Sequence, residues 1–294
     1  MILCFGSINL DLIFPLPALP QRGQTVLGQA MRIEPGGKGA NQATAAARDG
    51  ARVLFAGAVG ADVFADQALM HLRDAGVELS RVVSADISTG CAAICVDRAG
   101  GNQIAVASGA NLLARADQVE DALLAPGTTL LVQAETDLAE TATLIHRARA
   151  GGARVVLNLA PAAALAEDAL RAVDVLVVNE DEAAEVGRRF ATGGSAAGLH
   201  AALGVTTVVT LGERGLDAAS AEGPLHLDAR KVRVVDTTAA GDCFTGVLAA
   251  ALDRGLPLRD ALRRANAAAG VCCSRAGSQG SLPTRAETDA ALRG

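Results

Sequence analysis

The chain has 294 residues, 26 basic against 32 acidic for a formal charge of −6, half its residues hydrophobic, and six Phe but no Trp or Tyr. That length holds one large α/β domain or two small ones with a sizeable core. The scarcity of aromatic rings argues against base stacking on single-stranded nucleic acid, and the acidic balance without a basic run argues against a phosphate-backbone partner.

In chain order, the first strand is expected at "ILCFG". No basic stretch precedes it and Asp11 interrupts the apolar run, so it is not a signal sequence. No run reaches the ~18 apolar residues of a membrane span. Residues 11–35 carry Pro15, Pro17, Pro20, Gly23 and Gly28 around β-like stretches "DLIF" and "TVLGQAMRI", a broken pattern foreign to a doubly wound sheet. "GGKGANQATAAARDG" opens on glycines and runs into an Ala-rich helix; "RVLFAGAVG" reads as a buried strand and residues 63–75 as a helix.

Residues 82–107 read as strands again, with "RAGGN" as a hairpin turn. From there strands at "TLLVQ", "ARVVLNL", "VDVLVVN" and "TTVVTLG" alternate with helices; their apolar runs lack a two-residue period and imply a mainly parallel sheet covered on both faces. A β-meander over 216–235 and two C-terminal helices complete the pattern. The cysteines, Cys4, Cys91, Cys95, Cys243, Cys272 and Cys273, form no C-x-x-C pair and lie far from the four His. They read as reduced thiols in a cytoplasmic protein.

Neither a P-loop nor a dinucleotide fingerprint is present. "DTTAAGD" offers another phosphate device: small residues at a helix start leave backbone N–H groups directed outward, with Asp242 beside them to accept a proton. The same Asp242 could simply complement the helix dipole. "GGKGANQ" could admit a ligand close to backbone or be an ordinary turn, and Asn9 and Asp11, two apart on a strand, could hold vicinal hydroxyls or serve as turn residues. "VVNEDE" reads as a capping box from Asn179 to Glu182, or as a pair near a hydrated Mg²⁺.

Taken in order, "GSINLD", "GGKGANQA", "VVNEDE", "VTLGERG" and "DTTAAGD", with "STG", "SGAN" and "NLAPA" between them, resemble the ribokinase/PfkB family of carbohydrate kinases across essentially the whole chain. The resemblance implies an α/β, Rossmann-like three-layer core with a mainly parallel sheet. A small β-sheet lid is implied at about 10–35 and 87–108, serving also in homodimer contacts. The activity implied is ATP-dependent phosphorylation of a primary hydroxyl of a sugar, with ribose favoured by the Lys38 loop; another sugar, a nucleoside, or a non-catalytic sensor is the alternative.

Carried over by position, Asp242 is the general base and Ala240 and Gly241 form the anion hole. Asn9, Asp11, Gly37, Lys38, Gly39, Asn41 and Glu135 join Asp242 in holding sugar. Asn179, Thr210, Gly212, Gly215, Gly241 and Asn266 line ATP, and Glu182 is linked to Mg²⁺. Asp236, Thr238, Cys272, Arg275, Gly277 and Ser281 surround a monovalent cation, K⁺. The chain departs from the family's commonest forms at Ala239, where Gly is usual, while Asn266 stands where His or Asn is found.

Overall fold

A computed structural model describes residues 1–293. Its strands are β1 (Ile2–Phe5), β2 (Asn9–Pro15), β3 (Arg32–Gly36), β4 (Val53–Gly60), β5 (Glu78–Ala85), β6 (Gly90–Val96), β7 (Asn102–Ala107), β8 (Thr129–Val132), β9 (Arg154–Asn158), β10 (Val175–Asn179), β11 (Thr206–Thr210), β12 (Leu216–Ser220) and β13 (Gly223–Leu227). The helices are α1 (Lys38–Arg48), α2 (Ala65–Ala68), α3 (Met70–Asp74), α4 (Leu138–Gly151), α5 (Glu167–Arg171), α6 (Glu180–Phe190), α7 (Ala196–Leu203), α8 (Ala240–Asp253), α9 (Leu258–Cys273) and α10 (Arg285–Arg293).

Nine strands form one sheet in the order β13-β12-β11-β10-β9-β8-β1-β4-β5, parallel from β11 to β5 and antiparallel at the β12 and β13 edge. Alternate residues of each central strand enter two separate cores. Ile2 and Cys4 of β1 pack with α1, α8 and α9, whereas Leu3 and Phe5 pack with α4, α6 and α7. Both faces being covered, the strands are continuous apolar runs.

The remaining four strands form a second sheet, β3-β2-β6-β7. It starts directly from the end of β1. Register places Asp11 beside Glu34 and Ala92, so one face of this sheet carries Asn9, Asp11 and Glu34 together with Ile13, Ile94, Ile104 and Val106. Ile104 and Val106 are more than half exposed on it.

Three local expectations change. The stretch from Thr25 to Met31 is exposed coil, because only Arg32–Gly36 finds a partner in β2. The helix expected over 63–75 is interrupted at Leu69, whose backbone (φ −88, ψ −6) stays near the helical region. The meander stops at Leu227. Beyond it no further strand forms among the described residues, and the amides of Val235 and Asp236 bond the Cys273 carbonyl instead.

Two glycines explain the spelling of "GGKG". Gly37 caps α1 at φ 88, the left-handed region that disfavours a side chain, and a Cβ on Gly39 would lie 2.5 Å from the Ser7 amide nitrogen. The start of α1 therefore rests directly on the backbone that leaves β1.

Candidate active site

In an open parallel sheet, ligand clefts lie beyond the carboxyl ends of the strands where connections turn to opposite sides. Here that point lies between β1 and β8. Just past these strands Ser7 and Glu135 meet: the Ser7 hydroxyl donates to Glu135 Oε2 at 2.6 Å, and the Lys38 amide donates to the same oxygen at 3.0 Å. Asn9 Oδ1 accepts from Asn111 Nδ2 at 2.7 Å, which fixes the Asn9 side chain where β2 begins.

Asp242 lies in the first turn of α8, buried, and receives an amide N–H on each oxygen. Asn41 Nδ2 donates to Oδ2 and Gln42 Nε2 to Oδ1, both at 2.9 Å. Asn41 in turn accepts from Gln279 Nε2 at 3.0 Å and from the Ser278 hydroxyl at 3.4 Å, so it joins Asp242 to the loop after α9. Lys38 is held above its ordinary pKa, first by Asp242, against the opposing effect of burial, and then by Glu135, Glu182 and Asp11. Asp11 has the reverse problem. Burial, then the nearby carboxylates of Glu135, Glu34 and Asp242, push its carboxyl up to about 7, only partly offset by Lys38.

The start of α8 is strained. Its cap residue, Ala239, sits at φ 58 in the left-handed region, a conformation that costs a non-glycine residue about 1–2 kcal/mol and that the family's usual Gly adopts freely. Of the two residues expected in an anion hole, Ala240 already donates its amide to the Thr237 carbonyl at 3.2 Å. The amides of Gly241 and Asp242 have no acceptor among the described residues. A Cβ on Gly241 would meet nothing within 4 Å, so this edge of the helix faces open space.

That space is a cleft of about 1070 Å³. Asn179, Thr210, Gly212, Gly215, Ala240, Gly241 and Asn266 all line it. Chain turns bring several of them there, while Asn266 comes from the middle of α9: Asn179 and Thr210 end neighbouring parallel strands, and Gly215 at φ 91 reverses the chain into β12, where a Cβ would strike the Leu227 carbonyl at 2.0 Å. Asn266 donates to the Asp228 carbonyl at 2.7 Å. Glu182 does not line the cleft: it completes the capping box, Oε2 accepting from the Asn179 amide while Asn179 Oδ1 accepts from the Glu182 amide, both 2.8 Å. Burial pushes the Glu182 carboxyl up. Arg230 and Lys231 also line the cleft; they stand in none of the motifs, so the sequence did not single them out.

The six residues expected around a cation lie on the loop before α8 and on the end of α9 with the loop that follows it, which are pinned to each other. Asp236 Oδ1 accepts from the Thr238 amide (2.9 Å) and hydroxyl (2.6 Å), and Oδ2 accepts from the Gly277 amide at 3.0 Å. Burial works against it, yet these hydrogen bonds hold the Asp236 carboxyl below its ordinary range. Cys272 Sγ lies 3.0 Å from the Ser281 hydroxyl, and the Arg275 amide bonds the Cys272 carbonyl. Among the described residues no cluster of three or more His, Cys, Asp or Glu could hold a metal. The donors that the resemblance implies, backbone carbonyls and one carboxylate, are hard oxygens of low total charge, which suit a monovalent cation better than a transition metal.

A family model described as pfkB family carbohydrate kinase matches residues 1–285. A ribokinase of Haemophilus influenzae is 35% identical over 292 residues, 96% of this chain and 95% of that protein. Among solved structures, a ribokinase of Thermotoga maritima superposes with a TM-score of 0.91 at 30% identity, covering 100% of this chain and 99% of the other. An Arabidopsis thaliana ribokinase complexed with ribose and ATP gives 0.89 at 27% identity, covering 100% and 98%.

Proposed function

The chain belongs to the pfkB family of carbohydrate kinases, and we propose that it transfers the γ-phosphoryl group of ATP to the 5-hydroxyl of D-ribose, yielding ribose 5-phosphate and ADP. The observation that carries this reading is the placement of Asp242: a buried carboxylate held on both oxygens, in a helix start whose Gly241 and Asp242 amides have no acceptor among the described residues and whose Ala240 and Gly241 line the cleft. Asp242 takes the proton of the attacking hydroxyl, and the Gly241 and Asp242 amides stabilise charge on the transferring group. Ala240 joins them once its bond to Thr237 opens.

Ribose fits between the core and the small sheet, with Asn9, Asp11, Gly37, Lys38, Gly39, Asn41 and Glu135 as its contacts. The lid segments at about 10–35 and 87–108 exclude water, which otherwise competes as acceptor. ATP occupies the cleft along Asn179, Thr210, Gly212, Gly215, Gly241 and Asn266. Mg²⁺, which neutralises phosphate charge when bound, would be held through water by Glu182, whose Oε1 has no partner among the described residues. K⁺ would be held by Asp236, Thr238, Cys272, Arg275, Gly277 and Ser281, several through backbone carbonyls, where it would brace the loop carrying Ser278 and Gln279. The exposed Ile104 and Val106 on the Asp11 face support pairing of two lids in a homodimer. All six cysteines are free, in keeping with a reducing compartment such as the cytoplasm.

Asp11 makes ribose binding depend on pH. Its folded-state pKa of about 7 lies above the ordinary 3.8, so between these values the folded protein holds the proton more tightly and Asp11's contribution to stability falls as pH rises. Ribose hydroxyls donate more strongly to the ionised form, which accepts on both oxygens. We expect KM for ribose to fall as pH climbs through about 7, and Asp11→Asn to show a raised KM that is flat over the same interval, as measured by initial rates at saturating ATP.

The acceptor itself is tested by ADP release with a panel of pentoses, hexoses and nucleosides, with and without potassium. D-ribose with potassium is expected to give the highest kcat/KM; a strong preference for any other acceptor overturns the assignment.

A further inference from the structure

We propose that Gln42 is a positioning residue for phosphoryl transfer, anchoring the Asp242 carboxylate to the central sheet; this rests on the assignment of Asp242 as base. Gln42 is completely buried on α1, and every polar atom of its side chain is engaged. Nε2 donates to Asp242 Oδ1 at 2.9 Å and to Asn158 Oδ1 at 2.9 Å, and Oε1 accepts from Gln133 Nε2 at 2.8 Å. Asn158, at the end of β9, donates onward to the Val177 carbonyl at 3.1 Å. Gln133 directly follows β8. Two strand ends of the main sheet thus hold one amide, and that amide holds the carboxylate.

The orientation of the Gln42 amide is determined by its partners. Reversed, it would set its oxygen against two other oxygens and its nitrogen against the Gln133 nitrogen. Gln133 itself accommodates this arrangement at its own expense: its Oε1 is buried without a partner while its Nε2 serves Gln42. The helices are close enough for the contact because Gly246 of α8 has no side chain; a Cβ there would lie 2.3 Å from the Gln42 carbonyl.

Asn41 and Gln42 restrain Asp242 differently. Asn41 ties Oδ2 to the loop after α9, through Ser278 and Gln279, whereas Gln42 ties Oδ1 to the sheet. With both oxygens held, rotation of the carboxylate away from an incoming hydroxyl is blocked, and geometry of this kind is worth up to about 10²-fold in rate for a displacement near 1 Å. An apolar side chain would fill the same volume but leave Asp242 Oδ1, Asn158 Oδ1 and Gln133 Nε2 without the partner Gln42 supplies, so packing alone does not account for the residue type.

The test compares Gln42→Met, Gln42→Glu and Asp242→Asn in the full-length protein, by kcat, both KM values, melting temperature and pH profile. Gln42→Met keeps volume and removes the hydrogen bonds; kcat is expected to fall roughly 10- to 100-fold with KM for ribose and ATP within about twofold. Gln42→Glu gives a separate readout. The titratable or charged groups near the site are Asp242 on α8, Lys38 on the same helix and Cys4 on β1, whose thiol burial pushes up to about 12, so it stays protonated. The introduced carboxyl, when protonated, has one O–H and restores the bond to Asp242 though not the second one to Asn158; when ionised, it repels Asp242. Its kcat, relative to wild type at each pH, is therefore expected to rise as pH falls. Wild-type kcat in Gln42→Met, or a wild-type pH profile in Gln42→Glu, overturns the proposal, and the second variant decides if the first does not fold. Should Asp242→Asn turn over normally, the base assignment itself fails; an inactive Asp242→Asn beside a fully active Gln42→Met removes only the role of Gln42.

Discussion

Asp242→Asn is expected to lower kcat by at least about 10²–10⁴ while ribose still binds, the loss being that of a general base. The substitution preserves shape and leaves the cleft, the lid and the ribose contacts on the small sheet in place. It removes the proton acceptor. It also disturbs the local pattern, because Asn41 and Gln42 each present an N–H to a carboxylate oxygen, and an amide supplies one oxygen where two are required. Turnover is followed by ADP release and binding by ribose-dependent stabilisation against heat. A variant that retained near-normal turnover would remove Asp242 from the chemistry.

The largest expected effect on stability lies at the other end of α1. Asp49 is fully buried and receives Arg264 Nε on both oxygens, at 3.0 and 2.9 Å, and Arg254 Nη2 at 2.6 Å; Arg254 Nη1 also bonds its carbonyl at 2.8 Å. Arg264 continues to Asp289, so this single carboxylate joins α1, α8, α9 and α10. Removing it leaves two cations without their shared partner in the interior. Asp49→Ala should destabilise by about 3–5 kcal/mol, as breaking a buried pair does. At roughly 2–4 °C per kcal/mol for large domains, the melting temperature drops by on the order of 10 °C. Because α1 spans about 16 Å at ~1.5 Å per residue, kcat at low temperature should stay near wild type. A calorimetric scan within 2–3 °C of wild type, about the shift of 1 kcal/mol, would contradict the account of this cluster.

Much of the architecture was legible because periodicity and burial agree. The strands at β1, β4 and β8–β11 read correctly because an apolar run covered on both faces leaves no two-residue alternation. The capping box at Asn179 and Glu182 was legible from spacing alone, since it is a local interaction. What failed depended on partners far away in sequence. Residues 25–31 have strand-like composition but nothing to pair with, and residues 228–235 run as an open wall of the cleft rather than a third meander strand.

The site shows the same division. The order of short motifs brought out Asp242, Asn41, Asn179, Thr210, Gly212 and Gly215, and the chain places Asn179, Thr210, Gly212 and Gly215 on the cleft and Asn41 against Asp242; Glu135 and Asn266 came only from the family resemblance. Order could not show that Ala240's amide is already engaged, because that depends on the left-handed turn at Ala239. Nor could it reveal Gln42. Its partners, Gln133, Asn158 and Asp242, lie up to 200 residues away from it and converge only when β8, β9 and α8 are packed against α1.

The most direct test of the central claim is phosphorus NMR of the protein with D-ribose, ATP, Mg²⁺ and K⁺. The account predicts a new sugar-phosphate resonance coupled to the protons of carbon 5, growing as ADP appears and the ATP γ-resonance declines. Inorganic phosphate in place of that resonance, phosphate on another carbon, or ATP left unchanged would contradict it.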